Sequence, residues 1–361
     1  MRVNGKKVYI AMSGGVDSSV AAALLKKEGY DVTGVFMKNW SDETFLKDTT
    51  MCPWVTDQED ARKAAAIFDI PFYTFDFEKE YRAKVVEYMI QGYRNGVTPN
   101  PDIMCNREIK FGLFFERALS LGADYIATGH YARIRAQDRR YELLMGVDVS
   151  KDQSYFLYQL GQRELAKTLF PIGEYAKQQV RKMAREFDLP NAEKKDSQGI
   201  CFIGDLDVHE FLKSVIPPQL GKILTFEGRE VGEHEGVAYY TIGQRHGIGS
   251  PGGGTVYYVA AKDAEKNILY VAEGENDEHL YKKELTVVDS HWISGEAPVF
   301  PLHCMARIRY RQPLQECKVA AIDGGKLSVI FTNPQRAVTS GQSIVFYDSD
   351  TVLGGGVIAE R

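Results

Sequence analysis

The sequence predicts an α/β protein: a doubly wound parallel sheet at the N-terminus, then a small, mainly β domain and a C-terminal β-barrel. Strand-like apolar runs alternate with helical stretches up to about residue 205, which is the rhythm of a parallel sheet. Glycine and proline then divide the chain into short strand-like runs. At 361 residues the chain is too long for one ordinary core. We therefore expect three domains, at 1–205, 206–278 and 279–361.

The N-terminal region contains four apolar runs that predict strands, and helical stretches follow them. The strands are predicted at 8–12, 31–37, 71–76 and 123–128, and helices at 57–68, 80–95 and 109–121. A further helix follows the first strand through about Glu28. In 57–68, apolar residues recur at helix spacing. Because strands and helices alternate, we expect helices on both faces of the sheet.

The two later regions have a different pattern. Residues 250–254 read Ser-Pro-Gly-Gly-Gly, the strongest breaker in the chain, and a strand-like run follows at 255–260. From residue 284 onwards, runs at 285–288, 305–310 and 327–331 alternate with turns. This pattern favours an antiparallel barrel or sandwich.

Composition limits the classes of function. Hydrophobic residues make up 44% and charged residues 26%, as in soluble globular proteins. No apolar run reaches the roughly 18–20 residues that span a bilayer, and the N-terminus resembles no targeting segment, so we expect a cytoplasmic protein without a membrane partner. The net charge of −5 argues against a uniformly basic surface. Basic residues nevertheless exceed acidic ones in 105–185, which fits either a polyanionic partner or solvated helix faces.

Residues 13–19, between the first strand and the first helix, read Ser-Gly-Gly-Val-Asp-Ser-Ser. Two glycines allow a tight turn whose N–H groups face an anion at the positive end of a helix. No lysine follows, so this is not the P-loop pattern. It resembles the pyrophosphate loop of ATP pyrophosphatases, although a helix-capping turn would explain part of it. Asp17 beside a phosphate makes sense if it helps to hold Mg²⁺.

Five cysteines occur in the chain: Cys52, Cys105, Cys201, Cys304 and Cys317. Their odd number and the lack of any CxxC pair argue against a disulfide framework and a structural zinc site. Cys105 lies near a predicted helix start with Arg107 nearby, which would favour its thiolate. Cys201 lies in another glycine-bearing loop, and the other three are expected to be small buried hydrophobes. Asp102 suits either a helix cap or an acid/base role.

Several motifs occur in a recognisable order. Besides 13–18, they are Met-Lys-Asn-Trp at 37–40, Asn-Pro-Asp at 100–102 with Cys105, Thr-Gly-His-Tyr at 128–131, Lys-Asp-Gln at 151–153 and Ser-Gln-Gly-Ile-Cys-Phe at 197–202. Two more, at 240–245 and 306–310, extend the match. Together they resemble the bacterial tRNA-specific 2-thiouridylases of the ATP pyrophosphatase superfamily. The resemblance covers essentially the whole chain and implies an adenine-nucleotide alpha-hydrolase-like first domain. Only 41–53 departs from it.

The resemblance implies three sets of site residues. ATP, with Mg²⁺ at Asp17, would be bound by Ala11, Met12, Ser13, Gly14, Gly15, Val16, Asp17, Ser18, Met37 and Gly129. The flipped-out target base would meet Asn100, Pro101 and Asp102, with Asp102 handling a proton. Contacts with tRNA would come from His130, Lys151, Asp152, Gln153, Arg309, Tyr310 and Gln342. Taken alone, the arginines at 307, 309 and 311 would indicate one polar face of an exposed strand.

The implied reaction is 2-thiolation of the wobble uridine of glutamate, glutamine and lysine tRNAs. ATP would adenylate the C2 oxygen, and a cysteine desulfurase, directly or through relay proteins, would supply a persulfide on Cys201. Cys105 would attack that persulfide or help to release its terminal sulfur, leaving a Cys105–Cys201 disulfide for reduction. Two rivals remain: an ATP pyrophosphatase acting on a small metabolite, and a non-catalytic nucleotide- or RNA-binding module.

Overall fold

The computed structural model describes residues 5–41, 53–138, 140–195, 208–248 and 256–359. Its first layer is a five-stranded parallel sheet in the order β3-β2-β1-β4-β7. These strands are β1 Lys7–Ala11, β2 Asp31–Lys38, β3 Phe72–Asp76, β4 Tyr125–Ala127 and β7 Thr168–Leu169. The predicted fold class is therefore confirmed, and only β7, which has two residues, was not predicted.

Helices connect and cover these strands. They are α1 Val16–Lys27, α2 Pro53–Ile67, α3 Glu78–Tyr81, α4 Glu87–Arg94, α5 Pro101–Cys105, α6 Phe115–Ser120, α7 Gln162–Leu165 and α8 Lys177–Glu186. The π-helical stretches Arg82–Val86 and Asn106–Phe114 join α3 to α4 and α5 to α6. Small side chains of α1, among them Ala21 and Ala23, are fully buried, which lets this helix pack closely.

Two helices begin several residues before the predicted start. The helix expected at 109–121 begins at Pro101, because Asn100 caps it and a proline suits the first helical position. The helix expected at 57–68 begins at Pro53. Cys105 therefore lies one turn inside its helix.

The second region combines one helix and a four-stranded sheet. The helix is α9 Val208–Val215, and the sheet has the order β10-β11-β8-β9, in which β11 and β8 run parallel. The strands are β8 Gly221–Thr225, β9 Glu230–His234, β10 Tyr257–Asp263 and β11 Ile268–Glu273. This region is mainly β, as predicted.

The last region is a closed six-stranded antiparallel barrel in the order β12-β15-β14-β13-β16-β17, closed by β12 against β17. Its strands are β12 Tyr281–Trp292, β13 Leu302–Arg307, β14 Gln315–Ile322, β15 Lys326–Arg336, β16 Ser343–Asp348 and β17 Thr351–Ile358. Closure leaves no sheet edge within the barrel ring. Of the two alternatives that the sequence left open, the barrel is correct.

A hairpin from the first region joins the barrel. It consists of β5 Ala132–Gln137 and β6 Arg140–Met145, and β6 pairs with β17 through Leu143 and Leu144. The first and third regions therefore share one continuous sheet. The expected boundary at 205/206 lies outside the described residues, and the one at 278/279 falls in the 3-10 helix Glu278–Leu280. Among the described residues, no helix is both long and apolar enough to cross a bilayer.

Candidate functional site

The glycine-rich loop lies where the strand order reverses around β1. Ligands of doubly wound sheets bind in that crevice, at the carboxyl ends of the strands. The loop follows β1, Met37 lies near the end of the adjacent β2, and Gly129 follows the adjacent β4 on the other side. The predicted nucleotide residues therefore meet at one edge of the sheet.

The loop is held by its own hydroxyl groups. Ser18 Oγ accepts the Ser13 N–H at 3.2 Å and donates to the Gly15 carbonyl at 3.1 Å. Gly15 caps α1 and has no side chain of its own, so the N-cap residue leaves room at the positive end of that helix. An anion can therefore approach the first turn of α1.

Two glycines of the site have no room for a side chain. A Cβ on Gly14, where φ is +77°, would lie 2.1 Å from the Asp57 carbonyl oxygen. A Cβ on Gly129 would lie 2.7 Å from the Ser18 nitrogen. Both glycines are thus needed for close backbone approach. This close-packed turn fits a phosphate-binding loop.

Asp17 already forms an ion pair with a lysine side chain. Lys177 Nζ lies 2.8 Å from both carboxylate oxygens of Asp17, and Tyr131 Oη donates to Oδ1 at 2.8 Å. Lys177 is the first residue of α8 and is nearly fully buried. Lys177 was not predicted from the sequence. It lies 160 positions from Asp17, and no local pattern reveals a pairing over that separation. A Mg²⁺ ion at Asp17 would have to share or displace this lysine. The described residues contain no cluster of three or more His, Cys, Asp or Glu side chains suited to a metal.

The segment at 191–194 is attached to the same loop. The buried Asn191 amide donates to the Gly14 carbonyl at 2.9 Å and to Ser19 Oγ at 3.0 Å. Lys194 Nζ contacts Asp57 at 2.7 Å and Asp60 at 2.6 Å. Burial opposes the charge of Lys194, but the two carboxylates outweigh it and raise its pKa. The chain enters 196–207 from this point, and Cys201 lies there, outside the described residues.

Helix α5 carries the predicted base-binding residues and the other thiol. Asn100 Oδ1 accepts the Ile103 N–H at 3.2 Å, so Asn100, and not Asp102, caps the helix. Asp102 lies in its first turn. Cys105 is fully buried. The Arg107 guanidinium, expected to favour the thiolate, donates to Glu108 at 2.8 Å and to Gln159 at 3.3 Å.

A cleft of about 450 Å³ lies where residues of all three regions meet. Its walls include Thr98 and Asn100 from the first region, 241–244 from the second, and Arg309, Tyr310 and Gln342 from the barrel. Gln342 Nε2 donates to the Thr98 and Pro99 carbonyls at 2.9 and 3.1 Å, and Asn100 lies 3.4 Å from its Oε1. Four predicted contact residues, Asn100, Arg309, Tyr310 and Gln342, therefore share one cleft.

The other predicted tRNA contacts lie outside the cleft lining. His130 is buried between Phe111 and Phe170, and its Nδ1 lies 2.7 Å from Thr128 Oγ1. Burial, and then Lys110, hold the pKa of His130 well below its usual value, so the ring is neutral. Its contact with RNA stays a prediction.

Residues 151–153 form a turn with mixed exposure. Asp152 is buried and lies 3.3 Å from Arg307, while Gln153 Oε1 accepts the Tyr131 N–H at 3.0 Å. Lys151 is partly exposed. Of these three, Lys151 is the residue best placed to reach a partner. Contact between RNA and Asp152 also stays a prediction, because its side chain is buried in this conformation.

Comparison with known proteins matches the three regions to three family models. These are a tRNA methyl transferase HUP domain at 6–205, a tRNA methyl transferase PRC-barrel domain at 209–273 and an aminomethyltransferase beta-barrel domain at 282–358. The chain is 51% identical over 354 residues to a tRNA-specific 2-thiouridylase of Geobacillus thermodenitrificans, covering 98% of this chain and 95% of that one. It is 48% identical over 352 residues to the enzyme of the same name from Shouchella clausii, covering 98% and 96%. A solved NMN synthetase from Francisella tularensis matches 56% of this chain and 71% of its own at 18% identity and a TM-score of 0.32, which supports no conclusion.

Proposed function

Since this chain belongs to the family of tRNA-specific 2-thiouridylases, we propose that it replaces the C2 oxygen of a tRNA uridine with sulfur, using ATP. The uridine is the wobble base of glutamate, glutamine and lysine tRNAs. The observation that carries the proposal is that one helix, α5, joins the cleft residue Asn100 to Cys105. At 1.5 Å of rise per residue, the backbone positions of Asn100 and Cys105 lie about 7.5 Å apart along the helix axis.

The first step is adenylation of the base. ATP supplies the leaving group: transfer of its adenylyl group to the C2 oxygen releases pyrophosphate, and that oxygen later departs within AMP. The N–H groups at the start of α1 and the loop at 13–15 would hold the phosphates, and Met37 and Gly129 would border the nucleotide. Asp102 would receive or return the proton of the uracil ring.

The carboxylate that would hold Mg²⁺ already has a lysine partner in this structure. Asp17 is the residue that would hold Mg²⁺, which prefers carboxylate, phosphate and water oxygens. Lys177 lies against both of its oxygens. The ion and the lysine would therefore compete for one carboxylate, and phosphate oxygens of ATP would provide most of the remaining ligands.

The second step is sulfur transfer. The terminal sulfur of a persulfide on Cys201 attacks C2, and AMP leaves with the original oxygen. Cys105 attacks the inner sulfur of the persulfide, either in that step or earlier to release the terminal sulfur, and a Cys105–Cys201 disulfide forms. Two electrons from a thiol reductant restore the enzyme, which suits a cytoplasmic location. A cysteine desulfurase, directly or through relay proteins, supplies the persulfide.

The three regions would share this work. We propose 1–205 as the catalytic domain and 206–278 and 279–361 as the domains that complete the RNA-binding cleft. The shared sheet between β6 and β17 supports a fixed arrangement of the first and third regions.

A nucleoside assay tests the function. The enzyme is incubated with ATP, Mg²⁺, a cysteine desulfurase with L-cysteine and an unmodified glutamate tRNA transcript, and the nucleosides are analysed by mass spectrometry. We expect 2-thiouridine, with AMP and pyrophosphate released only when tRNA is present. Pyrophosphate release without tRNA would favour a small-metabolite enzyme, and binding without any release would favour a non-catalytic module.

A further inference from the structure

A buried ion pair joins the barrel to the turn at 146–154. Arg307 is the last residue of β13, and its Nη1 lies 3.3 Å from Asp152 Oδ2; the two side chains are 3% and 0% exposed. Asp152 Oδ1 also accepts the N–H groups of Gly146 and Ser154, each at 3.1 Å. Burial of a charge is costly unless the charge is paired and hydrogen-bonded, and Asp152 meets both conditions. The pair therefore fixes the turn to the end of β13.

The same turn is bonded on its other side to Tyr131, the residue before β5. The Gln153 N–H donates to the Tyr131 carbonyl at 2.8 Å, and Gln153 Oε1 accepts the Tyr131 N–H at 3.0 Å. A Cβ on Gly146 would lie 2.9 Å from that carbonyl oxygen, so the turn packs directly against Tyr131. Because Gln153 is adjacent to Asp152 in sequence, one short turn contacts both the barrel and Tyr131.

Two separate contacts lead from the turn to Asp17 in the nucleotide loop. Tyr131 is buried, and its Oη donates to Asp17 Oδ1 at 2.8 Å. Asp148, in the same turn, accepts the Lys177 N–H at 2.9 Å, and Lys177 Nζ lies 2.8 Å from both Asp17 oxygens. The position of the Asp17 carboxylate therefore depends on the position of the turn.

Predicted tRNA contacts lie on both sides of the buried ion pair. Arg309 and Tyr310 follow Arg307 by two and three residues, and the partly exposed Lys151 precedes Asp152. A tRNA held by Lys151 and Arg309 would restrict the two elements that the pair joins. When a first ligand restricts a segment, the second ligand has less ordering cost to meet, and its binding is strengthened.

We propose that the turn at 146–154 couples tRNA binding to ATP binding, and that Tyr131 is the positioning residue that holds Asp17 for the nucleotide. Bound tRNA fixes the turn, the turn fixes Tyr131, and the Tyr131 hydroxyl fixes one oxygen of Asp17. Because a coupling free energy is reciprocal, ATP strengthens tRNA binding by the same factor. The last residue of the motif at 128–131 thereby acquires a role. This role deepens the proposed function and rests on it.

Paired affinity measurements test the coupling. The α,β-methylene analogue of ATP cannot release pyrophosphate, so its Kd, in the presence of Mg²⁺, is measured with and without saturating glutamate tRNA transcript, and the Kd of the tRNA with and without the analogue. In the wild type we expect each ligand to strengthen the other by the same factor, at least about fivefold. Tyr131→Phe removes only the hydroxyl and should reduce that factor to less than about twofold. Tyr239→Phe is the matched control: it removes another tyrosine hydroxyl, which donates to the Ile216 carbonyl in the second region, and should keep the wild-type factor.

A double variant tests the barrel end of the connection. Asp152→Asn with Arg307→Met removes both buried charges, so neither is left unpaired and the fold should persist, which circular dichroism checks. We expect the same loss of coupling as in Tyr131→Phe, and a wild-type factor would contradict the role of the ion pair.

The target base is present in every measurement, so any direct contact between base and nucleotide contributes equally to all the factors. A wild-type factor in Tyr131→Phe would overturn the inference, even if its ATP affinity were weaker, because Tyr131 would then act at Asp17 alone. A wild type without coupling would also overturn it. Formation of 2-thiouridine by that same wild type would still support the proposed function.

Discussion

The sheet edge at the glycine-rich loop and the three-region cleft differ in whether their charged side chains have ion-pair partners. At the edge, Asp17 is paired with Lys177, and Lys194 with two carboxylates. In the cleft, Arg309 donates to neutral oxygens of the described chain, and the buried Thr98 hydroxyl has no hydrogen-bond partner there. A ligand at the edge must therefore displace an existing ion-pair partner of Asp17 or Lys194. An anionic ligand in the cleft would instead neutralise the positive charge of Arg309. In the proposed function, the first site binds a nucleotide together with Mg²⁺, and the second contacts tRNA.

The largest expected difference between the two regions is a loss of ATP affinity, without a loss of tRNA affinity, in Gly129→Ala. Its Cβ would press on the backbone of α1, 2.7 Å from the Ser18 nitrogen. Overpacking costs about 1–3 kcal/mol, and if all of that strain opposes the ATP-bound arrangement of the loop, ATP affinity falls by up to roughly 5- to 150-fold. Calorimetric titration of ATP measures it, with tRNA affinity expected to be unchanged. Gly232→Ala is the control, because a Cβ there meets nothing closer than 3.7 Å. Normal ATP binding by Gly129→Ala would show that the crevice is not the nucleotide site.

A smaller effect should follow from breaking the Asp17–Lys177 pair. Lys177→Met leaves a partly buried carboxylate without its cation, so we expect the free energy of unfolding to fall by about 1–2 kcal/mol. Adding Asp17→Asn should recover most of that loss, since no charge then remains unpaired. Urea denaturation of both single variants and the double variant gives the coupling energy.

The exposed pair Lys182–Glu186 is the control for this cycle. A helix pair of that kind should couple by only about 0.3–0.5 kcal/mol. Equal coupling energies in the two pairs would mean that the Asp17–Lys177 pair behaves like an ordinary exposed ion pair.

A further effect concerns pH and His130. Burial and Lys110 lower the pKa of this histidine in the folded state, so the unfolded chain binds its proton first as pH falls below about 6.5. Stability is therefore complete above that pH and is lost as pH decreases, by at most about 1.4 kcal/mol per pH unit. His130→Asn should lack this component when unfolding is measured between pH 7 and pH 5. An identical pH slope in wild type and variant would mean that His130 does not titrate as described.

Local patterns predicted much of this structure. The loop at 13–18 and the strands beside it could be recognised because each depends on residues adjacent in sequence. Asn191 and Lys177 could not, because an asparagine before a loop and a lysine at a helix start look like ordinary surface residues. Pairing of β6 with β17 was equally hidden, since an amphipathic hairpin does not reveal which distant strand it joins.

The cleft was predicted only in part. Asn100, Arg309, Tyr310 and Gln342 were assigned to RNA through the family resemblance, and the structure places all four in one cleft. Thr98 could not be predicted, because the lack of a hydrogen-bond partner for its buried hydroxyl is a property of the folded chain. Cys201 lies outside the described residues, so its approach to Cys105 stays a prediction.

That approach is tested most directly by mapping disulfides after one turnover. The enzyme, with a persulfide on Cys201, is mixed with ATP, Mg²⁺ and tRNA without reductant, free thiols are alkylated, and peptides are analysed by mass spectrometry. We predict a Cys105–Cys201 linkage in proportion to the 2-thiouridine formed, with Cys304 and Cys317 alkylated. Formation of 2-thiouridine while Cys105 remains fully alkylated would contradict the account.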